Sequence, residues 1–446
     1  MFDFSDFYKN KHNSNDTIIA TMGVQDLPKY LRDLKNPTHT LEAIRELSTI
    51  DDHPTIGVDI SIVLFKLFSG KNANIDQFAM VPKVPCTAIL EQLNDKFQNW
   101  FELGFKVIFV FDGRKHPLKS DEHEKRKQLR ENAYKKIKDI VEGRKEGTIN
   151  DLRKQYKSTF SVRVDILNDV IEYMKKYYND KFGYCAAAFE AEHQLVSLQN
   201  QGVIDYVYTE DSDAVVCGSK ATIFNCKGGK CTLVNLEDLF TSVLPIAFNT
   251  VNFLPKWNGR IMRELACFLG NDYVNRAQGN GPKKAETFLF DLVDNGILKT
   301  GESYLAVLQK HVIKSTDKDP IRKWLFSVEM FEYAPAFMMC PTKDISTREA
   351  FWTNEYNIVL SPMNKSNNDN NENFNESSSW MCNRDDCFES ICQTAYLFGF
   401  DPTILFNNDC FTSLFQMKTW NGEVLKSLEL PTFNGKETFH GAIIDF

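Results

Sequence analysis

Thr209-Glu210-Asp211-Ser212-Asp213 follows directly on Val203-Ile204-Asp205-Tyr206-Val207-Tyr208. The six-residue run is rich in β-branched and aromatic residues and reads as a short strand. The pentapeptide then places two carboxylates, Asp211 and Asp213, at the strand's carboxyl end, where open α/β sheets carry their sites. An acidic pair alone is just as common in solvated loops. Its reading depends on whether other strands deliver partners to the same edge.

Two earlier segments do. Thr55-Ile56-Gly57-Val58-Asp59 has a buried-strand pattern that ends in a carboxylate, and a mostly apolar helix from Ile60 to Phe68 follows it. Lys106-Val107-Ile108-Phe109-Val110-Phe111 is a second such strand, followed by Asp112 and Gly113. Val164 to Tyr177 repeats Ile166, Leu167, Val170, Ile171 and Met174 at helical spacing. After a short apolar strand near Gly183 comes Phe189-Glu190-Ala191-Glu192. Glu190 and Glu192 cannot share a face of one regular helix, but they converge if Glu190 precedes the helix and Glu192 lies in its first turn. Thr222 to Val234 reads as a hairpin turning at Gly228-Gly229. A helix from Arg260 to Leu269 ends in Gly270-Asn271-Asp272-Tyr273, and Gly279-Asn280-Gly281-Pro282-Lys283-Lys284-Ala285 opens another. Strands alternating with helices predict an α/β fold, a mostly parallel sheet with helices on both faces.

Carboxylates that crowd at strand ends need a compensating cation, because unpaired buried charge is costly. Oxygen ligands without His or Cys suit Mg²⁺ or Mn²⁺. The overall charge of −8 argues against a nucleic-acid partner, yet it hides an inversion. Residues 114–163 carry a net +8, which leaves −16 for the remainder. A basic helical segment on an acidic body is either a phosphate-binding surface or a solvated helix with paired charges. Apolar residues make up 43% of the 446 residues, and no run reaches the length of a membrane span. Residues 1–21 are polar and irregular, unlike a secretory signal or transit peptide, and read as disordered. The eleven cysteines read as reduced thiols of an intracellular protein, Cys226/Cys231 and Cys382/Cys387 included, since their spacings are off those of zinc sites.

Taken together, these blocks resemble the flap endonuclease / exonuclease 1 (XPG-type) family of structure-specific 5′ nucleases. Met22-Gly23-Val24-x-x-Leu27 looks like that family's amino terminus, and Val58-Asp59 like its first catalytic strand. Val110-Phe111-Asp112-Gly113 matches the second, with Lys119 and Arg126 seven and fourteen residues after the Asp. Glu190-Ala191-Glu192, Thr209–Asp213, Leu269–Tyr273 and Gly279–Ala285 follow in the family's order, so the resemblance runs from residue 22 to about 290. Ser212, Pro320-Ile321-Arg322 and Met330-Phe331-x-Tyr333 are closer to the exonuclease 1 branch.

The resemblance implies a PIN-like sheet, a helical arch and a helix–hairpin–helix element. It implies two Mg²⁺ ions per site, with Mn²⁺ able to substitute, held by Asp59, Asp112, Glu190, Glu192, Asp211, Asp213 and Asp272. Lys119 and Arg126 would be catalytic cations facing the scissile phosphate. Phe65, six residues after Asp59, would stack on a terminal base; burial in the core is the equal alternative. Gly279, Asn280, Gly281, Lys283 and Lys284 would contact DNA, with a K⁺ site at the same motif, although Asn280 stands where the family has an apolar residue. The expected activity is 5′→3′ DNA exonuclease with 5′-flap endonuclease, on duplexes with 5′ ends, flaps, nicks or gaps. A Holliday-junction resolvase and a non-catalytic nucleic-acid-binding scaffold are the alternatives. A nuclear monomer is expected (cytoplasmic if viral), with no membrane partner and no clear sliding-clamp motif.

The expected organisation is an N-terminal extension (1–21), an N-terminal nuclease region (22–118), a basic arch (119–163) and an internal nuclease region (164–255). A helix–hairpin–helix region (256–345), a linker with an Asn-rich tract (346–379) and a C-terminal element (380–446) complete it. In the family the residue after the initiator Met lies near the active site, so a chain beginning at Met22 is expected to be at least as active as the whole.

Overall fold

The computed structural model describes residues 24–33, 38–47, 53–69, 87–113, 119–160, 162, 164–187, 190–240, 254–295, 301–318, 320–333, 337–339, 347–352 and 380–382. The readings of 1–21, of the Asn-rich tract and of 383–446 fall outside them.

Seven strands form the main sheet: β1 (Thr38–Thr40), β2 (Thr55–Asp59), β3 (Lys106–Phe111), β4 (Phe182–Ala186), β5 (Tyr206–Tyr208), β6 (Ala221–Lys227) and β7 (Lys230–Asn235). Their spatial order is β1-β7-β6-β5-β2-β3-β4. The five consecutive strands β6-β5-β2-β3-β4 are parallel, and β7 with β1 adds an antiparallel margin beside β6. From β2 the chain winds outward through β3 and β4, then returns to place β5 on the other side of β2. The order therefore reverses between β2 and β5, and the crevice outside the carboxyl ends at such a reversal is where open α/β sheets bind ligands. Asp59 ends β2, Asp112 follows β3 and the Asp211 segment follows β5, so three carboxylates reach this crevice because of strand order.

Side chains alternate across β3. Val107, Phe109 and Phe111 enter one buried cluster, Ile108 and Val110 another on the opposite face. Gly57 on β2 marks a close approach. A Cβ there would lie 2.6 Å from Leu195 Cδ2 and 2.5 Å from Ile204 Cδ1, so only glycine lets the helix carrying Leu195 rest on the strand.

The helices preceding the arch are α1 (Leu27–Asp33), α2 (Leu41–Leu47), α3 (Ile60–Ser69) and α4 (Thr87–Glu102). The basic segment is a helical hairpin, α5 (Ser120–Val141) and α6 (Ile149–Thr159). Gly143, at φ 71°, lies just past the end of α5, and a Thr148/Asp151 capping box starts α6. The break falls where the glycines predict it. Phe160 ties the far end of the hairpin to α3, stacking on Phe68 at 3.9 Å between ring centroids.

Next come α7 (Val164–Tyr178), α8 (Ala191–Asn200), α9 (Asp213–Val216), α10 (Leu254–Leu269), α11 (Pro282–Asn295), α12 (Gly301–Val312), α13 (Pro320–Tyr333) and α14 (Thr347–Trp352). A small second sheet pairs β8 (Phe337–Met339) with β9 (Trp380–Cys382). Helices α10, α12 and α13 share a buried polar knot. Glu264 pairs with Arg260 at 2.9 Å and accepts hydrogen bonds from Tyr304 Oη (2.6 Å) and Trp324 Nε1 (2.7 Å). A buried carboxylate is tolerable because each of these partners answers it.

Two sequence expectations change. The strand expected over 203–208 is confined to Tyr206–Tyr208, because Val203 and Ile204 instead pack into the core beside α8. Cys226 and Cys231 are not free thiols but a disulfide. Their pairing follows from a bulge between Phe224 and Lys227, which sets the two cysteines across the hairpin with Cα atoms 4.3 Å apart.

Candidate active site

Each acidic side chain is held by its own local structure. Asp59 is buried at the end of β2, where Oδ1 accepts from the Ile62 amide (3.3 Å) and Oδ2 from Thr209 Oγ1 (3.2 Å). Asp112 Oδ1 accepts from the Ala191 amide at 3.0 Å, which links the end of β3 to the first turn of α8. Glu190 occupies the N-cap position of α8 in extended conformation, and Glu192 lies in its first turn. That is the offset by which two glutamates two apart can converge. His193, next along, is anchored by Nε2 to the Met330 carbonyl oxygen at 3.1 Å. Burial pushes its imidazole down to about 4, so it is neutral at physiological pH.

The opening stretch folds back on itself. Thr209 Oγ1 accepts from the Asp211 amide and Asp211 Oδ1 from the Asp213 amide, each at 3.0 Å. Asp213 Oδ1 accepts from the Val24 amide, also at 3.0 Å, so the amino-terminal segment reaches the site. Asp272 arrives from the far end of α10. Gly270 at φ 86° ends that helix, and Asn271 Oδ1 accepts from the Tyr273 and Val274 amides to set the turn.

The focus of these groups is an ammonium. Lys119 Nζ lies 2.7 Å from Glu190 Oε2, 3.0 Å from Asp272 Oδ2 and 3.9 Å from Asp213 Oδ2, above the Tyr273 ring. Arg126, two turns along α5, sits with Nη2 3.9 Å from Asp272 Oδ2 and Nε 3.1 Å from Glu122 Oε1. Both cations predicted from the sequence therefore meet the acidic cluster, Lys119 inside it and Arg126 at its rim. Among the described residues, no three His, Cys, Asp or Glu side chains close on a single metal-binding point.

The electrostatics record the crowding. Burial, then Asp112 and Asp211, hold Asp59 well above the usual carboxylate range. Asp112 and Asp211 are each pushed up to about 6, chiefly by burial. Glu192 and Asp213 are also raised well above their ordinary values, burial first and neighbouring carboxylates second. Asp272, Glu190 and, more weakly, Asp213 hold the Lys119 ammonium well above the normal lysine range against the opposing effect of burial. An all-oxygen, mutually repelling donor set that already accommodates one buried cation fits a hard divalent ion.

Other predicted residues lie elsewhere. Phe65 is half-buried on α3, with its ring 6.1 Å from that of Phe160, so it packs against the core cluster. Gly279 (φ 96°) and Gly281 precede α11, which opens with Pro282 at its first position, and Lys283 and Lys284 are exposed in its first turn. Asn280 has a role that its departure from an apolar residue does not suggest. Its Nδ2 donates to the His311 carbonyl oxygen (3.2 Å) and so ties the turn to α12. Thr209, Asn271 and Tyr273 stand in blocks quoted from the sequence but were given no role there, and neither was His193 nor Ser61, whose Oγ accepts from the Asp112 amide at 3.5 Å. Their partners are far away in the chain, and single hydroxyl, amide or ring side chains carry no spacing signal.

A carboxylate-lined crevice at the switch point of a mostly parallel sheet, bridged by a basic helical hairpin, defines a PIN-like α/β domain. Residues 22–133 match the XPG N-terminal domain and residues 181–272 the XPG I-region. The chain carries both XPG regions, in that order along the sequence. It is 28% identical over 240 residues to exodeoxyribonuclease 1 of Schizosaccharomyces pombe, covering 50% of this chain and 39% of that protein. It is 30% identical over 194 residues to flap endonuclease 1 of Nanoarchaeum equitans, covering 42% and 54%. The chain thus spans about half the length of these relatives or less. The catalytic core of Rad2 in complex with DNA substrate aligns with 70% of this chain and 86% of that one, at TM-score 0.43 and 18% identity.

Proposed function

We propose that this protein is a divalent-metal-dependent, structure-specific 5′→3′ DNA exonuclease with 5′-flap endonuclease activity, of the exonuclease 1 type. The observation that carries the proposal is the Lys119 ammonium lodged among Glu190, Asp213 and Asp272, with four further carboxylates around it. So much buried negative charge is a poor choice for stability and a good one for holding cations. Asp112, Glu190 and Glu192 would hold one Mg²⁺ with Asp59 nearby. Asp211, Asp213 and Asp272 would hold or orient the second. When bound, the ions lower the pKa of a water and offset charge on the phosphoryl group and on the leaving 3′-oxygen.

The chain's own residues do the rest. The carboxylates orient that water and accept its proton, so the oxygen can form its bond to phosphorus as the bond to the 3′-oxygen breaks. Lys119 and Arg126 share one face of α5 and point at the cluster, which suits them to the non-bridging oxygens once other cations neutralise the acids. The Gly279–Lys284 turn offers backbone amides and two exposed ammonium groups to a backbone phosphate. DNA is the expected partner, a nuclear location follows from it, and K⁺ at this turn belongs to the same proposal.

The test is digestion of flap, nicked, recessed and four-way-junction DNA, each labelled at 5′ or 3′ ends, with Mg²⁺ and with EDTA. Short products from the 5′ end of nicked and recessed duplexes are expected, with flap release and no symmetric junction nicking. Degradation from the 3′ end, or activity in EDTA, would refute the proposal.

A further inference from the structure

Glu210 sits between Thr209 and Asp211 yet does not join the acidic cluster. It turns to the opposite side, where it pairs with Lys66 at the end of α3 and lies 3.9 Å from Lys96 Nζ on α4. Tyr208 Oη donates to Glu210 Oε1 at 3.2 Å, and Lys96 stands over the Tyr208 ring at 5.1 Å. Lys227, at the end of β6, is near enough for its charge to act on Lys96, as Lys66 does. Two ammonium groups from two elements thus share one carboxylate, and a third lies near Lys96. The acids next along α4, Glu91 and Asp95, lie toward Tyr173 on α7 instead.

We propose that Lys66 and Lys96 form a second anion site that takes backbone phosphates of DNA, with Glu210 as its resident counter-ion. This rests on the reading of the chain as a DNA-cleaving enzyme. The argument begins with charge. Outside residues 114–163 the chain carries −16, so a local excess of ammonium groups runs against the trend of the body. Position comes next. Glu210 and Asp211 are adjacent, so the patch borders the acidic crevice, and Lys66 directly follows Phe65 on α3. Lys66 also has an obvious local use, since a cation in a helix's last turn complements the dipole. It reaches instead across 144 residues of chain to Glu210.

Glu210 explains how such a site persists without ligand. Lys66 pairs with its carboxylate, Lys96 Nζ lies 3.9 Å from it, and Tyr208 Oη donates to it at 3.2 Å. Lys96 is itself lowered, by burial first and by Lys66 and Lys227 in addition. A phosphate brings the negative charge these ammonium groups lack, and it can displace the Glu210 contact on exposed Lys66 with little rearrangement.

The experiment is fluorescence-anisotropy binding of a 5′-flap duplex without divalent metal, from 50 to 200 mM KCl. The variants are Lys66→Ala, Lys66→Ala/Lys96→Ala and Glu210→Gln, with thermal melts as a folding control. Each phosphate contact contributes about 0.9 to the slope of log K against log salt. The single variant should lose about one unit of slope and the double variant about two, with affinity down about tenfold or more. Glu210→Gln should bind several-fold tighter. Slopes unchanged in Lys66→Ala, whose side chain is about half exposed, would overturn the site. Wild type that binds DNA with the expected slopes but cuts no substrate would sink the nuclease reading and keep the site. Wild type that binds no DNA would overturn both.

Discussion

Asp211→Asn should make the metal-free protein more stable while abolishing cleavage. Asp211 is buried at the centre of the acidic crevice, and its carboxyl is pushed from 3.8 up to about 6. Burial is the main cause, and Asp272 adds to it, while the hydrogen bond from the Asp213 amide works the other way. Because the folded value lies above the unfolded one, the folded chain holds the extra proton between about pH 4 and 6. Stability therefore falls as pH rises through that window, and the full penalty is present above it. The shift corresponds to about 3 kcal/mol at pH 7.5. Asparagine keeps the shape and retains an oxygen for the Asp213 amide, so the variant escapes that penalty without losing the hydrogen bond. At 2–4 °C per kcal/mol, the melting midpoint should rise by about 6–12 °C at pH 7.5 and by little at pH 4. Differential scanning calorimetry in EDTA at the two pH values is the assay. Mg²⁺ should then narrow the gap, because it stabilises wild type more than the variant. A variant that melts at or below wild type at pH 7.5, or gains equally at both pH values, would refute the account of the crevice as electrostatically strained.

Three further outcomes follow from the same geometry. Lys119→Met should lower the single-turnover rate by about 10²–10³ while changing DNA affinity less than tenfold, and equal losses in both would reassign Lys119 to binding. The cleavage rate should fall as pH drops below about 6, where Asp112 and Asp211 take up protons, and this limb should move to lower pH as Mg²⁺ is raised. A pH–rate profile at two Mg²⁺ concentrations reads it. Gly270→Ala should cost more than about 1 kcal/mol in urea denaturation, since φ is 86° and a Cβ would lie 2.9 Å from the Arg276 amide nitrogen. It should also reduce cleavage, because the same turn delivers Asp272.

Much of this was legible in the chain itself. Strand and helix periodicity placed β3 over Lys106–Phe111, and the glycines near 143 and 147 marked the break in the basic hairpin. Asp59, Asp112 and Asp211 stood out because each falls at or just after a strand's end, while Glu190, Glu192, Asp213 and Asp272 joined the set through the family resemblance. The opposing directions of Asp211 and Glu210 were less visible. Neighbouring acids look alike in a sequence, and only the positions of α3 and α4 draw Glu210 away to Lys66 and Lys96. The disulfide was misread for a similar reason. Five residues of separation permit a bridge but do not require one, and it took the bulge in β6 to bring the two sulfurs together.

The sequence by itself determined which groups carry charge and where each strand ends, because these follow from side-chain chemistry and local backbone preference. Tertiary structure alone decided which charges meet. The reversal of strand order beside β2 gathers acids from positions 59 to 272, and the arch lowers Lys119 among them. Interaction energy depends on distance through space and on burial, and neither is written in the spacing of residues along the chain.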